Sequence, residues 1–260
     1  MRPEYLSASR ITQYLMCPMK YKLQYEDKAE WDFTPSNLVL GSAVHKAIER
    51  FYQAWANDHV RMPVDEVVQL FSDCWTAGAE GKTFEAGCDP TEVLNIGKSL
   101  VEVFAREVNP TEVVGIEQRF RIPLVDPDTG EYIIDLVGIF DLIEKDPDGT
   151  VVVVDHKTAA KRFSDADLEG NLQLSAYGLA SRQIFDIEGT VLLRIDAMVK
   201  NKTPVFDQKF TLRTVASDRK FVKLATDILH AMEVDAFPPN PGWVCNGCNV
   251  KSSCYIGYDK

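Results

Sequence analysis

The chain has 260 residues, of which 45% are hydrophobic and 26% are charged. These are the proportions of an ordinary globular protein, and the length suffices for one large domain or a domain with a helical insert. The formal net charge of -11 argues against a protein that coats nucleic acid by bulk charge. No stretch approaches about eighteen consecutive apolar residues, and residues 1–5 lack the apolar character of a signal peptide, so we expect a cytoplasmic protein without a membrane partner.

The first half of the chain has mostly helical periodicity. Apolar and aromatic spacing predicts a helix over residues 6–25, capped by Ser7 or Ser9, and a strongly amphipathic helix over 40–56. Residues 64–107 are also helical in pattern, with a break around 78–90. We interpret residues 57–110 as a helical insert.

From residue 111 the apolar spacing changes to two. Three strands, over 113–125, 132–145 and 151–157, are separated by turn residues and predict an antiparallel meander. A helix over 167–185, strands over 190–199 and 205–212, and a helix over 217–234 follow. This order indicates an α/β fold.

Four of the six cysteines have the spacing or position of metal ligands. Cys245, Cys248 and Cys254 are close together, and Cys17 lies near the other end of the sequence. Four thiolates bind zinc or an iron–sulfur cluster, and the spacing leaves both open. Such a site would clasp the two ends of the chain together. The two other cysteines, Cys74 and Cys88, are interpreted as ordinary thiols.

A second group of polar residues follows two neighbouring predicted strands. Asp141 comes three residues after Gly138, and Asp155 and Lys157 directly follow the four valines 151–154. Adjacent strands would bring Asp141 near Asp155, and alternation places Asp155 and Lys157 on one face. The pattern predicts a carboxylate–metal–lysine site. The alternative is a salt bridge at the rim of the sheet.

Several short motifs together resemble the RecB-like branch of the PD-(D/E)XK nuclease superfamily, which includes CRISPR-associated RecB-like exonucleases. In order, they are a Ser-x-Ser helix with Cys17-Pro18, Gly41-x3-His45-x3-Glu49, Gly138-x2-Asp141, Asp155-x-Lys157, Gln173-x3-Tyr177 and the cysteine trio. The resemblance covers about residues 5–255. It implies a single domain over 1–260 with a restriction-endonuclease-like core, in which helices flank a central mixed β-sheet. An N-terminal helical region and an iron–sulfur clasp made by Cys17 and residues 240–260 would complete it.

The resemblance also implies roles for individual residues. A divalent metal, Mn²⁺ or Mg²⁺, would be bound by His45, Asp141, Asp155 and the backbone carbonyl of His156, and the nitrogen ligand favours Mn²⁺. Lys157 would orient the nucleophile. The implied catalytic residues are Lys157, Asp141, Asp155, Gln173 and Tyr177. A [4Fe-4S] cluster, or alternatively Zn²⁺, would be held by Cys17, Cys245, Cys248 and Cys254.

Each of these assignments has an alternative. His45 alone would be read as a satisfied histidine at a helix edge, and Asp135 shares a strand face with Asp141. Glu49 is interpreted as a solvated or supporting carboxylate, and Glu117 as a weaker candidate for an additional metal or supporting role. Gln173 and Tyr177 would be surface and core in another protein. Asp155 also stands where many relatives have Glu.

The function expected from this resemblance is metal-dependent hydrolysis of DNA. We expect an exonuclease on single-stranded or frayed DNA ends that acts in recombination, repair, replication or CRISPR adaptation. A phage recombination or replication nuclease also fits a chain of this length. One alternative is an end-trimming subunit that is active only with a helicase or CRISPR adaptation partner. Another is a non-catalytic iron–sulfur protein that binds DNA or senses redox state. The residues expected to grip DNA are Arg10, Lys20, Lys22, Lys161 and Arg162, with Tyr14, Tyr21 and Tyr25 either stacking on bases or packing in the core.

Overall fold

A mixed β-sheet forms the centre of the molecule. The computed structural model describes residues 2–256, in which six strands pair in one sheet. They are β1 (Tyr5–Leu6), β2 (Glu112–Val125), β3 (Tyr132–Lys145), β4 (Val151–Ala159), β5 (Val191–Val199) and β6 (Val205–Arg213). The order is β1-β3-β4-β5-β6, and β2 pairs with β3. The predicted antiparallel meander of β2, β3 and β4 is confirmed, whereas β1 and β5 join the sheet in parallel.

Helices cover the sheet. They are α1 (Ala8–Met16), α2 (Pro18–Tyr21), α3 (Ser36–Asp58), α4 (Val64–Ala79), α5 (Pro90–Glu107), α6 (Asp165–Glu169), α7 (Leu172–Ile184) and α8 (Val215–Glu233), with a π-helical turn at Lys22–Glu26. The predicted α/β class with a central mixed sheet is therefore confirmed. Between Arg2 and Ile256, no helix is long and apolar enough to cross a membrane.

Two of the predicted helices are each divided. The helix predicted over residues 6–25 is interrupted at Cys17, which has an extended backbone (φ −161°, ψ 105°), because a residue before proline avoids the helical region. Only Ser7 of the two proposed caps accepts a hydrogen bond from the helix, donated by the amide of Arg10. The helix predicted over 167–185 ends at Gly170, and a new helix starts after Asn171, whose side chain caps it.

Each face of the sheet has its own hydrophobic core. The first core joins α1, α7 and α8 to one face and includes Ile11, Phe140, Val153, Tyr177 and Phe221. The second core joins α3, α4 and α5 to the other face and includes Phe51, Phe71, Phe104, Leu142 and Val154. The residues predicted as an insert, 57–110, form α4 and α5 of this second core. Their separate status stays a prediction.

The sheet contains a gap beside β3. Strand β1 pairs with β3 at Asp135 and Leu136, and β4 pairs with it from Leu142 onward. Within residues 2–256, the segment 137–141 of β3 therefore has no strand on that side. The polar residues of the candidate site, described next, lie beside this gap.

Candidate functional site

Asp141 and Asp155 lie where β3 and β4 part. The antiparallel pairing between these strands ends at the pair Leu142–Val154, and each aspartate is the next residue beyond that pair on its strand. Beyond that point the amide of His156 donates to Oδ2 of Asp141 at 2.8 Å. The two carboxylates, both buried, are therefore held at the end of the strand ladder.

Lys157 contacts one of these carboxylates and a residue of α7. Its Nζ lies 2.8 Å from Oδ1 of Asp155 and 2.8 Å from Oε1 of Gln173. Burial lowers the pKa of Lys157, but the charges of Asp155 and Asp141 outweigh burial and raise it above its ordinary value. The lysine is therefore a cation at neutral pH, suited to donating hydrogen bonds and not to accepting a proton.

Gln173 and Tyr177 connect the lysine to Asp141. They are one turn apart on α7, and Nε2 of Gln173 donates to the hydroxyl of Tyr177 at 2.9 Å. That hydroxyl donates to the carbonyl oxygen of Ile139 and lies 3.3 Å from Oδ1 of Asp141. Burial, followed by the charge of Asp141, raises the pKa of Tyr177 well above its usual value, so the phenol stays protonated. The structure thus brings these predicted residues into one hydrogen-bonded network.

His45 approaches the same site from α3. Its Nδ1 lies 3.6 Å from Oε1 of Glu117 and 3.7 Å from Oδ2 of Asp141. Burial, with the charge of Asp155 next, raises the pKa of Asp141 from 3.8 to about 7. Burial lowers the pKa of His45, but Glu117 and Asp141 raise it by more. His45 and Asp141 therefore each keep a proton to a higher pH than the free side chains would.

Glu117 reaches this group through an irregular backbone. Regular β2–β3 pairing holds at Gln118 with Phe140 and at Ile116 with Leu142, but Glu117 and Asp141 between them are not paired. Glu117 has a left-handed φ of 47°, which is unfavourable for a non-glycine residue. Glu117 was only a weak candidate in the sequence because such an interruption has no signature in the pattern of strand residues.

The donor atoms fit a divalent cation. Among the described residues, ligand atoms of His45, Glu117 and Asp141 lie within 4.8 Å of one another. Oδ2 of Asp155 is buried and has no hydrogen-bond partner within residues 2–256. A buried carboxylate oxygen without a partner is costly, and a cation would satisfy it. Carboxylates with one imidazole form a donor set suited to Mg²⁺ or Mn²⁺.

The imidazole of His156 lies behind His45, with ring centroids 6.2 Å apart, on the strand face opposite Asp155 and Lys157. It is buried in the second core, with ring centroids 5.7 Å from Tyr52 and 6.1 Å from Phe104. Burial lowers its pKa well below the usual value, so the ring is neutral. The metal-binding role predicted for the backbone carbonyl of His156 stays a prediction.

Packing explains the glycine that precedes Asp141. A Cβ atom at Gly138 would lie 2.4 Å from the ring of Phe120, so a side chain does not fit there. A Cβ atom at Gly41, by contrast, would meet nothing within 4 Å, and packing does not explain that glycine.

The alternative acidic residues have other partners. Asp135 accepts from Nη1 of Arg121 at 2.8 Å and lies six residues, about 20 Å, along β3 from Asp141. Glu49 bonds to Lys46 at 2.7 Å and to Gln53 at 3.1 Å. Neither is part of the group around His45.

The four predicted cluster cysteines line one cavity. Cys17, Cys245, Cys248 and Cys254 surround a volume of about 260 Å³, and all six cysteines of the chain are free thiols. Backbone amides of Lys20 and Asn240 each lie 3.5 Å from Sγ of Cys17. Among the described residues, these sulfurs do not form a group of three within 4.8 Å. The cavity is therefore wider than a site already closed around one ion.

The residues expected to grip DNA are scattered. Arg10 and Tyr25 line a cavity of about 760 Å³ beside Asp141, and Lys20 lines the cysteine cavity. Tyr14 and Tyr21 are buried in the first core, as the alternative interpretation held. The other three form ion pairs: Lys22 with Glu26, Asp27 and Asp235, Lys161 with Asp167, and Arg162 with Asp207.

Among the lining residues of the larger cavity whose side chains can form hydrogen bonds, three were not singled out by the sequence prediction. They are Tyr5, Arg119 and Arg121. The spacing Glu117-x-Arg119-x-Arg121 is a signal that could have identified two of them, because alternate residues of a strand share a face.

The mixed sheet, its two helical layers and the polar site at the strand gap define a restriction-endonuclease-like core. The chain belongs to the PD-(D/E)XK nuclease superfamily, whose family model matches residues 5–255. Over 76% of its length it is 26% identical to one component of the ATP-dependent helicase/deoxyribonuclease of Clostridium acetobutylicum, and it spans 18% of that protein. Its fold is similar to that of a provisionally assigned exonuclease from Eubacterium rectale (TM-score 0.54, 14% identity, 94% of this chain and 87% of that one). The family match and the fold therefore place the chain in a nuclease superfamily.

Proposed function

We propose that the protein is a metal-dependent deoxyribonuclease that shortens DNA from single-stranded or frayed ends. The observation that carries this proposal is the buried Asp155, paired with the half-buried Lys157, whose second carboxylate oxygen has no hydrogen-bond partner among the described residues and whose charge acts on His45 and Asp141. An unsatisfied oxygen beside further carboxylates is explained by a cation. Because the chain belongs to a nuclease superfamily, the reaction proposed for that cation is hydrolysis of a phosphodiester bond.

The residues divide the work between binding the metal and binding the substrate. His45, Asp141 and Asp155 would hold the metal, with Glu117 as a further ligand, and a bound metal would supply an activated water and neutralise charge on the phosphate. Lys157 is held by Asp155 and Gln173 and has donor capacity left for the nucleophile or the phosphate. Tyr177 fixes Asp141 and the strand edge at Ile139.

For the cysteine cavity, we propose a [4Fe-4S] cluster. Four free thiols on one cavity fit four ligands, and amide donors at Cys17 suit a charged thiolate. A single zinc ion, at about 2.3 Å from each sulfur, would draw the sulfurs within about 4 Å of one another. The cavity of about 260 Å³ that the four thiols line has room for the larger group, in which each thiolate binds a different iron atom.

The relationship to a component of a helicase/deoxyribonuclease supports a helicase as the partner class. This chain matches only 18% of that relative. A helicase motor that works with this chain would therefore have to be supplied by sequence outside the matched region. A CRISPR adaptation complex is the second partner class consistent with the RecB-like motifs.

The test is digestion of end-labelled and circular DNA by anaerobically purified protein. We expect Mn²⁺- or Mg²⁺-dependent shortening of linear single strands, loss of activity in Asp155→Ala, and full activity in Asp227→Ala, a surface control on α8. The position of the label gives the polarity. Cutting of circles would replace the exonuclease proposal with an endonuclease. No cleavage of any substrate by the wild-type protein would favour the non-catalytic DNA-binding alternative.

A further inference from the structure

An open groove extends from the metal site along β2 and β3. This is the cavity of about 760 Å³ beside Asp141, and its walls come from the start of α1, from β2 and from the unpaired segment of β3. Between Glu117 and Arg121, β2 alone rises about 13 Å. At about 3.4 Å per phosphate along one strand of a duplex, the groove has room for at least two successive phosphates.

Two arginines on this groove have no carboxylate partner. The side chain of Arg119 is exposed and makes no ion pair or hydrogen bond within residues 2–256. Arg10 donates to the carbonyl oxygen of Tyr5 at 3.0 Å. Among residues 2–256 it forms no ion pair with an acidic side chain. A third, Arg121, is partly neutralised by Asp135 at 2.8 Å.

Arg119 differs from the other described arginines in that its guanidinium has neither a hydrogen-bond nor an ion-pair partner in residues 2–256. The net charge is -11, so carboxylates are abundant, and six arginines outside the groove each contact one: Arg2, Arg106, Arg162, Arg182, Arg194 and Arg219. The remaining three donate to neutral oxygens of the protein: Arg50, Arg61 and Arg213. Two cations without a carboxylate on one groove, close to buried aspartates, indicate an anion that comes from outside the protein.

Aromatic rings hold Arg10 in place. Its guanidinium carbon lies 4.0 Å from the ring centroid of Tyr5 and 5.0 Å from that of Tyr25. Stacking against rings fixes the plane of a guanidinium and leaves its N–H edges to bind a phosphate oxygen. The arginine is therefore oriented before any ligand arrives.

We infer that this groove binds the sugar–phosphate backbone of one DNA strand, with Arg119 holding a phosphate next to the scissile one and Arg10 holding one farther along. The inference rests on the proposed nuclease function, since it takes the Asp141–Asp155 site as the point of cleavage. Arg119 follows Glu117 by two residues on β2, so it is the nearer of the two to the metal ligands.

The test measures DNA binding separately from cleavage. In an Asp155→Asn background, which silences cutting, a fluorescent single strand of about 12 nucleotides is titrated with protein at several salt concentrations. We expect Arg119→Ala to weaken binding about tenfold and to lower the slope of log K against log salt by about 0.7, the value for one single-strand phosphate contact. Arg119→Lys keeps the slope. The matched control Arg106→Ala, an exposed arginine on α5, changes neither quantity.

Oligonucleotide length separates the two arginines. Arg10→Ala should weaken binding of the long strand while leaving a trinucleotide, which has only the scissile phosphate and one neighbour, unaffected, whereas Arg119→Ala should weaken both. Equal affinities and slopes for Arg119→Ala and Arg106→Ala would overturn the groove assignment, even if the wild-type protein cuts DNA. The expected binding losses together with an inactive wild-type protein would instead overturn the nuclease proposal and leave the groove intact.

Discussion

Glu117 and Asp141 face each other across an interruption in the β2–β3 ladder, and both approach the same nitrogen of His45. The pairs on either side, Ile116 with Leu142 and Gln118 with Phe140, keep the same register, so the interruption does not shift the strands; the register shifts elsewhere, between Val113 and Gly115 and between Leu124 and Val125. The left-handed φ of Glu117 costs about 1–2 kcal/mol. Strain of this kind persists where the surrounding structure fixes it, and here it accompanies a carboxylate that is directed at His45.

The first prediction separates this strain from metal binding. In EDTA, Glu117→Gly should be at least as stable as the wild-type protein, because glycine removes an unfavourable φ worth about 1 kcal/mol. Glu117→Gln retains the strain and removes only the charge. Both variants should show at least tenfold weaker Mn²⁺ binding by calorimetry, a loss of about 1.4 kcal/mol. Unchanged affinity in both would remove Glu117 from the metal site.

A second prediction concerns Lys157. Because its ammonium stays charged and has donors directed at the site, Lys157→Ala should reduce single-turnover cleavage by about 10²–10³-fold while DNA binding is retained. Gln173→Ala, which removes a support of the lysine, should have the smaller effect. If Gln173→Ala proved as damaging as Lys157→Ala, the glutamine would itself contact the substrate.

The third prediction follows from the protonation of Asp141. Its pKa is raised from 3.8 to about 7 by burial and by the charge of Asp155, so the folded protein holds this proton more tightly than the unfolded chain does. Ionising Asp141 therefore costs stability as pH rises from about 4 to about 7. In EDTA, Asp141→Asn should melt higher than the wild-type protein at pH 8, and this advantage should disappear near pH 4.

Metal should reverse that dependence. Binding of a cation displaces the proton, so Mn²⁺ affinity of the wild-type protein should rise with pH until about pH 7 and then level off. A melting difference between Asp141→Asn and wild type that stays constant from pH 4 to pH 8 would contradict the raised pKa.

The fourth prediction addresses the cysteine cavity. Cys248→Ser should lower the melting temperature and abolish visible absorbance, because the proposed cluster would cross-link residues more than 200 positions apart. By analogy with a disulfide that closes a long loop, the cost is on the order of 4 kcal/mol. Cys74→Ser, at a cysteine outside the cavity, serves as the control. Lost absorbance with unchanged melting would mean that the cysteines do not clasp the fold.

Much of the fold could be predicted from local patterns. Alternation identified β2 to β6, and three- and four-residue spacing identified the helices of the second core. Strand β1 is only two residues long and was hidden inside a helical pattern. The break at Cys17 had a local signal, Pro18, and the break after Gly170 had a cap, Asn171.

The site was predictable only where each strand carries its own signal. Asp155 and Lys157 follow a run of valines, so their position at the end of a buried strand could be inferred. The role of Glu117 depends on a local failure of pairing, and the groove combines α1, β2 and β3. Neither arrangement appears in a single periodic segment, because each arises from contacts between residues distant in sequence.

Consecutive residues of β4 are anchored in opposite halves of the protein. The ring of His156 is enclosed by Tyr52 and Phe104, while Lys157 on the other face is held by Gln173. The short segment that carries Asp155 is thus held by contacts on both faces of the sheet. The position of the Asp155 carboxylate therefore depends on the packing of both hydrophobic cores. A substitution that repacks the residues around Phe104 should shift this carboxylate, although Phe104 itself is not part of the candidate site.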